Sequence, residues 1–398
     1  MTTYKAPLRD MQFVMRDLLH FEKHYQSLPD CEEVNQDLIA AILGEASKFS
    51  EEVVAPLNAV GDEAGCKMLD DGEVQTPPGF KEAYQQYVDG GWPSLDQPAR
   101  YGGQDLPMSM GLPIREMNGT ANWSWAMYPG LSHGAMETIE EHGSEEQKAM
   151  FMEPLVSGRW TGTMCLTESH CGTDLGLLRT KAEQAADGTY RITGSKVLIS
   201  SGEHDLAENI VHIVLARLPD SPPGTKGISL FIVPKFIPND DGSVGERNGV
   251  RCGALERKMG IHGNSTCELS FDDAVGYLVG EENRGLHYMF TFMNFARIGT
   301  GLQGLAHTEL AFQQSLAYSR DRLQMRSLSG PKNPSGPADP IIVHPDVRRM
   351  LLTQKAFAEG GRALIYFATA QGDILTKSED PEARELANHV LNFLTPII

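Results

Sequence analysis

The chain has 398 residues, 41% of them hydrophobic, enough to fill the cores of two or three domains. Its 34 basic and 53 acidic side chains leave a net charge of −19, which repels phosphate backbones and argues against a nucleic-acid partner. The 6 cysteines show no CxxC spacing, the start lacks a signal peptide's apolar centre, and no run approaches the ~20 apolar residues of a membrane helix, so the expectation is a cytoplasmic protein with no membrane span.

In chain order, Leu8, Met11, Met15, Leu18 and Leu19 fall at helical spacing between charged residues and predict an amphipathic helix. Helical patterns follow over 33–54, 80–89 and 134–151, where Gly143 stops one helix and Ser144 caps the next. Past Trp160 the texture changes to short strands. These are Tyr190 and Ile192, then after a turn at Gly194, Val197 and Ile199; next 211–216 and 228–233; finally an alternation at Cys267, Leu269 and Phe271. From Leu286 helices return, with long patterns over 302–323 and 345–376 around a Gly/Pro/Ser-rich surface loop at 327–340. The order predicts an α+β fold: an N-terminal helical domain (1–160), a central β-domain (161–280) and a C-terminal helical bundle (281–398). The apolar helical pattern 385–398 has nothing after it to cover it, so the chain is expected to continue in a longer protein.

Two motifs have competing readings. Gly299, Gly301 and Gly304 form a GxGxxG, but a bulky, Met-rich helical stretch precedes it where a dinucleotide fold needs a strand, so close helix packing is the expectation. Gly130, Ser132 and Gly134 form the GxSxG of a serine-hydrolase elbow after an alternating WSWAMY, in a region otherwise read as helical. None of the 12 histidines forms an HxxxH or HxxE with supporting ligands, and no metal site is expected.

Residues 164–174, MCLTESHCGTD, carry more information. They begin as a strand and are expected to turn at Cys171–Gly172. Thr167 and Thr173 supply hydroxyls and the glycine frees main-chain N–H groups, a combination that can bond a heterocycle edge and a pyrophosphate without net positive charge. A plain hairpin connection is the equally open alternative.

MCLTESHCGTD resembles the flavin-binding segment of the acyl-CoA dehydrogenases, whose usual form is close to CxTEPGAGSD. Further segments match in the family's order: GWPSLDQPARYGGQDLP (91–107), HGSEEQKAMFMEPLVSG (142–158), ITGSKVLISSGEHD (192–205), KMGIHGNSTCELSFDD (258–273) and GEENRGLHYM (280–289). The opening APLRDMQFVMRDLL resembles the extended N-terminus of the 3-methylthiopropanoyl-CoA dehydrogenase-like subgroup.

The resemblance implies FAD as cofactor, held by Met164, Leu166 and Thr167 on its pyrimidine side and by Leu198 and Ser200 on the other; many relatives carry Trp at the Leu198 position. It places Thr173 near the pyrophosphate and the substrate, and Arg297 on the coenzyme A moiety beside Asn294, where relatives often have Asp. Arg322 and Gln324 would reach the FAD of a neighbouring subunit, which implies at least a homodimer. The implied reaction is α,β-dehydrogenation of an acyl-CoA to the trans-2-enoyl-CoA: a glutamate takes the α-proton, hydride passes to the flavin, and electrons leave through an electron-transfer flavoprotein. Neither family location supplies that glutamate here. The YEGT-type segment is absent, and the alternative position, one residue before Arg297, is Ala296. The base is therefore expected beyond Ile398, leaving this chain alone inactive. The alternatives are a base-less acyl-CoA- and flavin-binding paralog, an acyl-CoA oxidase and, as a minor reading, the serine hydrolase.

Overall fold

The computed structural model describes residues 4–398. The helices are α1 (Leu8–Gln12), α2 (Phe21–Gln26), α3 (Gln36–Phe49), α4 (Leu57–Ala64), α5 (Phe80–Asp89), α6 (Met108–Ala121), α7 (Trp123–His142), α8 (Glu145–Val156), α9 (Gly285–Asp321), α10 (Pro345–Lys377) and α11 (Pro381–Leu394). The strands are β1 (Lys67–Met68), β2 (Val74–Gln75), β3 (Trp160–Cys165), β4 (Lys181–Gln184), β5 (Tyr190–Ser200), β6 (Asn209–Ala216), β7 (Ser229–Pro234), β8 (Phe236–Pro238), β9 (Val244–Arg247), β10 (Val250–Leu255) and β11 (Thr266–Val279). No helix among the described residues is long and apolar enough to cross a membrane.

The helical, β, helical order is the expected one, with local differences. The helices α1 and α3 each continue as a π-helical turn, Phe13–Leu18 and Ser50–Val54. As expected, α7 ends at His142 just before Gly143, and Ser144 caps α8, here through a capping box with Gln147. Gly194 does not turn the chain. It bends a single strand β5, at a φ of +153° where a Cβ would stand 2.7 Å from Thr180 Oγ1.

The chain forms two compact units. One comprises residues up to Ala55, Pro107–Trp123 and Thr300–Ile398. Its helix α6 is almost wholly buried, and the buried carboxylate of Glu116 accepts from Arg362 Nε (2.8 Å) and Tyr366 OH (2.7 Å). The same guanidinium donates to Glu309 at 2.8 Å, so one fully buried cation ties α6, α9 and α10. Within the GxGxxG, a Cβ at Gly301 would collide with Ile398, whereas Gly299 and Gly304 face open space. The motif lies inside α9, and close packing explains one of its three glycines.

The other unit, Pro56–Leu106 with Ser124–Gly299, holds the sheet. Its strand order is β3-β6-β7-β11-β5-β4, with β10 also on β11; β3 and β6 are parallel and the other pairs antiparallel. Both faces of β6 are covered. Val211, Ile213 and Leu215 join one apolar cluster with α7 and α8, while Val214 and Ala216 join a second with β5 and β11. Burial on both faces makes β6 a near-continuous apolar run instead of an alternating one, interrupted only by buried Asn209 and His212.

Candidate functional site

Strand β3 delivers Met164, half-buried, and Cys165, buried, to the turn that follows. There the Glu168 N–H donates to the Cys171 carbonyl (2.8 Å) and the Cys171 N–H to the Glu168 carbonyl (3.0 Å). The chain thus reverses at Ser169–His170, two residues before the expected Cys171–Gly172.

The Glu168 side chain sets that position. Its Oε1 accepts from Thr180 N (3.0 Å), Thr180 Oγ1 (2.6 Å) and Lys196 Nζ (2.9 Å), and its Oε2 from Arg179 N (2.8 Å). Lys196, 0% exposed on β5, also donates to the Leu166 carbonyl at 3.0 Å, and Val197 N donates to the Thr167 carbonyl at 2.9 Å. Burial pushes the Glu168 carboxyl up, but Lys196, Thr180 and Arg179 together hold it below its usual range. On Lys196 burial prevails over Glu168 and lowers the ammonium. Sequence reading missed this fastening, because nothing local marks a lysine 28 residues away as the partner of a turn glutamate.

Opposite the turn, β5 bulges. Ile199 pairs with Cys267 and Lys196 with Leu269, so Val197 and Leu198 share the space opposite Glu268. Leu198 sits at a φ of +61° and is 58% exposed; Ser201 follows at +53°. Two non-glycine residues in the left-handed region flank Ser200, a concentration of backbone strain typical of ligand-contacting segments. Asn264 steadies the second, accepting from Ser201 N (3.2 Å) and donating to Ser201 Oγ (2.9 Å).

The structure therefore joins the segment bearing Leu166 and Thr167 to the bulged strand that carries Leu198 and Ser200, through Lys196 Nζ and Val197 N; Met164 stands on β3 before the turn and Thr173 follows it. Among the described residues, the Thr167 N–H and the hydroxyls of Thr167, Thr173 and Ser200 have no hydrogen-bond partner, and all three residues are at least partly exposed. Gly172 lies against Thr167, where a Cβ would stand 3.3 Å from its Cγ2. Free donors and acceptors beside an exposed apolar residue fit the polar edge and flat face of a flavin.

The remaining expected residues lie apart from this turn in sequence. On α9, exposed Arg297 donates to Asn294 Oδ1 (2.9 Å) and stacks over Phe290 at 5.7 Å; Ala296 between them offers no proton acceptor. Arg322 and Gln324 belong to the other compact unit, where they are exposed and bonded to each other at 3.2 Å. Their loop is organised by Asp339, a residue not singled out from sequence. It accepts from Ser327 N, Lys332 N and Asn333 N, and these bonds hold its carboxyl down at about 2.

Two other chemistries are corrected or reassigned. Ser132 lies in the middle of α7, not on a strand-to-helix elbow, and its buried Oγ accepts the Gly162 N–H at 3.1 Å. The GxSxG is a helix-to-sheet contact, and the hydrolase reading fails on geometry. Glu168, His170 and Cys171 bring potential metal-ligand atoms within 4.8 Å of one another. Both Glu168 oxygens already have donors, however, and His170 Nε2 lies 3.0 Å from the Leu177 carbonyl, so we assign the trio to the turn itself.

Comparison with known proteins agrees with this geometry. The acyl-CoA dehydrogenase N-terminal domain model matches residues 39–159 and the middle domain model 163–274, together more than half the chain. The chain belongs to the acyl-CoA dehydrogenase family. It is 45% identical over 398 residues to 3-methylmercaptopropionyl-CoA dehydrogenase from Ruegeria pomeroyi, an alignment that takes in 100% of this chain and 66% of the relative. Butyryl-CoA dehydrogenase from Megasphaera elsdenii superposes with a TM-score of 0.68 at 25% identity, covering 91% of this chain and 98% of that one. A structure described as the electron transferring flavoprotein of Acidaminococcus fermentans superposes with a TM-score of 0.70 at 25% identity, covering 91% and 85%. The chain spans 66% of the length of the curated relatives that match it end to end. FAD is the cofactor of acyl-CoA dehydrogenases, and the middle-domain match spans both the turn and the bulge described above.

Proposed function

We infer that this chain binds FAD at the turn 164–173 and the β5 bulge, binds an acyl-CoA thioester, and serves α,β-dehydrogenation of that thioester, with electrons passing to an electron-transfer flavoprotein. The observation that carries this is the pairing of unpartnered Thr167 groups with the strained, exposed Leu198 across a turn locked by Glu168 and Lys196. When bound, FAD supplies the hydride acceptor. The Thr167 N–H and hydroxyl orient its pyrimidine edge, Leu198 covers a ring face and excludes water, and Ser200 and Thr173 donate to its polar groups and to the substrate. Arg297, aligned by Asn294, supplies a permanent positive charge for the coenzyme A moiety. Arg322 and Gln324 complete the cofactor site of a second copy in a homodimer.

The 45%-identical relative is named for 3-methylmercaptopropionyl-CoA, so short acyl thioesters, the methylthio form among them, are the first substrates to test. A second reading follows from Ala296: binding of flavin and acyl-CoA without turnover. Anaerobic mixing of the FAD-loaded chain with propionyl-, butyryl- and 3-methylthiopropanoyl-CoA separates the two. Bleaching of the flavin's visible absorption supports dehydrogenation. A spectral shift without bleaching shows binding with no proton acceptor in reach, the result expected of these residues where Ala296 stands in the alternative base position. No change with any thioester refutes both. Reoxidation in air against electron-transfer flavoprotein then distinguishes a dehydrogenase from an oxidase.

A further inference from the structure

Beside the β5 bulge, β11 and its outer neighbour β10 carry two buried cysteines whose thiols meet. All six cysteines of the chain are free thiols. Cys252 is 4% exposed and Cys267 0%. We propose that Cys252 and Cys267 form a peroxide-sensitive dithiol, whose oxidation to a disulfide moves the bulge that presents Leu198 and Ser200. The dithiol stands on its own geometry; its effect on FAD rests on the flavin reading above.

Register puts the two side chains on one face of the sheet. Cys252 lies directly opposite Leu269, and Cys267 is two residues from Leu269 on the same strand, so both join one apolar cluster. Diagonal partners of this kind ordinarily stand about 7–8 Å apart, just beyond the ~6.8 Å between Cα atoms that a disulfide spans. Here the register shifts between Cys252 and Ala254. Gly253 is thus an extra residue that bends β10, and the two thiols hydrogen-bond to each other. That bond holds the Cys252 thiol below its ordinary range, whereas the same bond together with burial pushes the Cys267 thiol up. The pair is divided into an attacking and a resolving sulfur. Among the described residues β10 pairs with β11 alone, and exposed Arg251 and Gly253 flank Cys252, so a molecule as small as hydrogen peroxide has a short path to its sulfur.

The chemistry balances with a hydroperoxide as oxidant. The Cys252 thiolate attacks one peroxide oxygen, the O–O bond breaks, and the released hydroxide takes up the thiol proton and leaves as water. Cys252 is then a sulfenic acid. The Cys267 sulfur attacks the Cys252 sulfur, the S–S bond forms, the S–O bond breaks, and a second water leaves with the Cys267 proton. Two thiols lose two electrons, and hydrogen peroxide becomes two waters. A dithiol reductant reverses the change by exchange. Closing the disulfide draws β10 and β11 together, and β11 carries the movement to β5. Cys267 is the residue that pairs with Ile199, which lies between Leu198 and Ser200 at the bulge itself. Gly202 also abuts it, since a Cβ there would stand 3.0 Å from Cys267 Cβ. A displaced Cys267 therefore disturbs the register that sets the left-handed Leu198. A bond closed against the strand geometry is strained, and strained disulfides are the readily reduced ones.

The test treats the full chain with hydrogen peroxide and follows free thiols, disulfide-linked peptides, amide hydrogen exchange over 196–202 and FAD affinity. The wild type is expected to lose two of its six thiols, to yield a peptide pair joining Cys252 to Cys267, and to recover both thiols with dithiothreitol. On oxidation, exchange over 196–202 should quicken and FAD affinity should fall several-fold, both returning on reduction. Cys252→Ala should keep its remaining thiols, its exchange pattern and its FAD affinity under the same treatment. Cys267→Ala should stop at a Cys252 sulfenic acid, trapped as a dimedone adduct. Six intact thiols in the treated wild type, or a cross-link through Cys66 or another cysteine, overturns the proposal. A Cys252–Cys267 cross-link with unchanged exchange over 196–202 overturns the coupling to the bulge. A wild type that shows the cross-link and the quickened exchange but binds no FAD supports the proposal and overturns the flavin reading instead.

Discussion

Lys196 Nζ stands 2.9 Å from Glu168 Oε1 and 3.0 Å from the Leu166 carbonyl, so one buried ammonium joins strand β5 to the turn that presents Thr167. Removing it strands a carboxylate in a dry environment. Lys196→Met should cost about 3–5 kcal/mol of stability, the usual penalty for breaking a buried ion pair from one side. The double variant Lys196→Met/Glu168→Leu, which removes both charges, should be more stable than the single one. Denaturant unfolding of the three proteins checks the ordering.

The same pair predicts an acid sensitivity. The folded Glu168 carboxyl is held below its usual range, and in the unfolded chain it titrates near ~4.3. A depressed carboxyl stabilises the fold fully above the unfolded value, and that contribution disappears as pH falls through the folded one. Thermal midpoint and FAD retention should therefore drop together below about pH 4. Glu168→Gln should show a shallower acid dependence than wild type; parallel curves would assign the loss to other carboxylates.

Leu198 pairs strain with exposure. A leucine in the left-handed region costs roughly 1–2 kcal/mol, and glycine there relieves it at an entropic cost of about 0.5–1 kcal/mol. Leu198→Gly should leave stability unchanged or raise it by up to about 1 kcal/mol while FAD affinity falls. Leu198→Trp should raise FAD affinity through ring stacking. Paired thermal melts and FAD titrations separate the two effects.

These residues also show what the sequence could and could not announce. The central strand β6 was legible because NIVHIVLA is apolar apart from Asn209 and His212, a near-continuous run that suits burial on both faces. The cap at Ser144 was legible because both halves of its capping box lie within four residues. At Gly194 a glycine within alternating residues suggests a turn, whereas its role is close approach to Thr180, the residue just before β4. The short strands β1, β2, β4, β8, β9 and β10 passed unread because edge pairing leaves little periodicity. Within the site, the residue types of the turn were visible, but the Ser169–His170 reversal depends on Glu168 finding Lys196. The bulge at Leu198 depends on the register of β11, and neither is a local property.

Ser132 gives a control for the chemistry set aside. Ser132→Ala removes the acceptor of the buried Gly162 N–H and should cost about 1–3 kcal/mol. Ester hydrolysis should be at background in wild type and variant alike. A Ser132-dependent esterase activity would restore the hydrolase reading.

The most direct test of the flavin site is an FAD titration of wild type and Thr167→Val by flavin fluorescence, since valine keeps the shape of the side chain and removes only its hydroxyl. The wild type should bind FAD saturably, and the variant should bind at least several-fold more weakly or show a displaced absorption maximum. Identical affinity and an identical spectrum in the two proteins would contradict the placement of FAD at this turn.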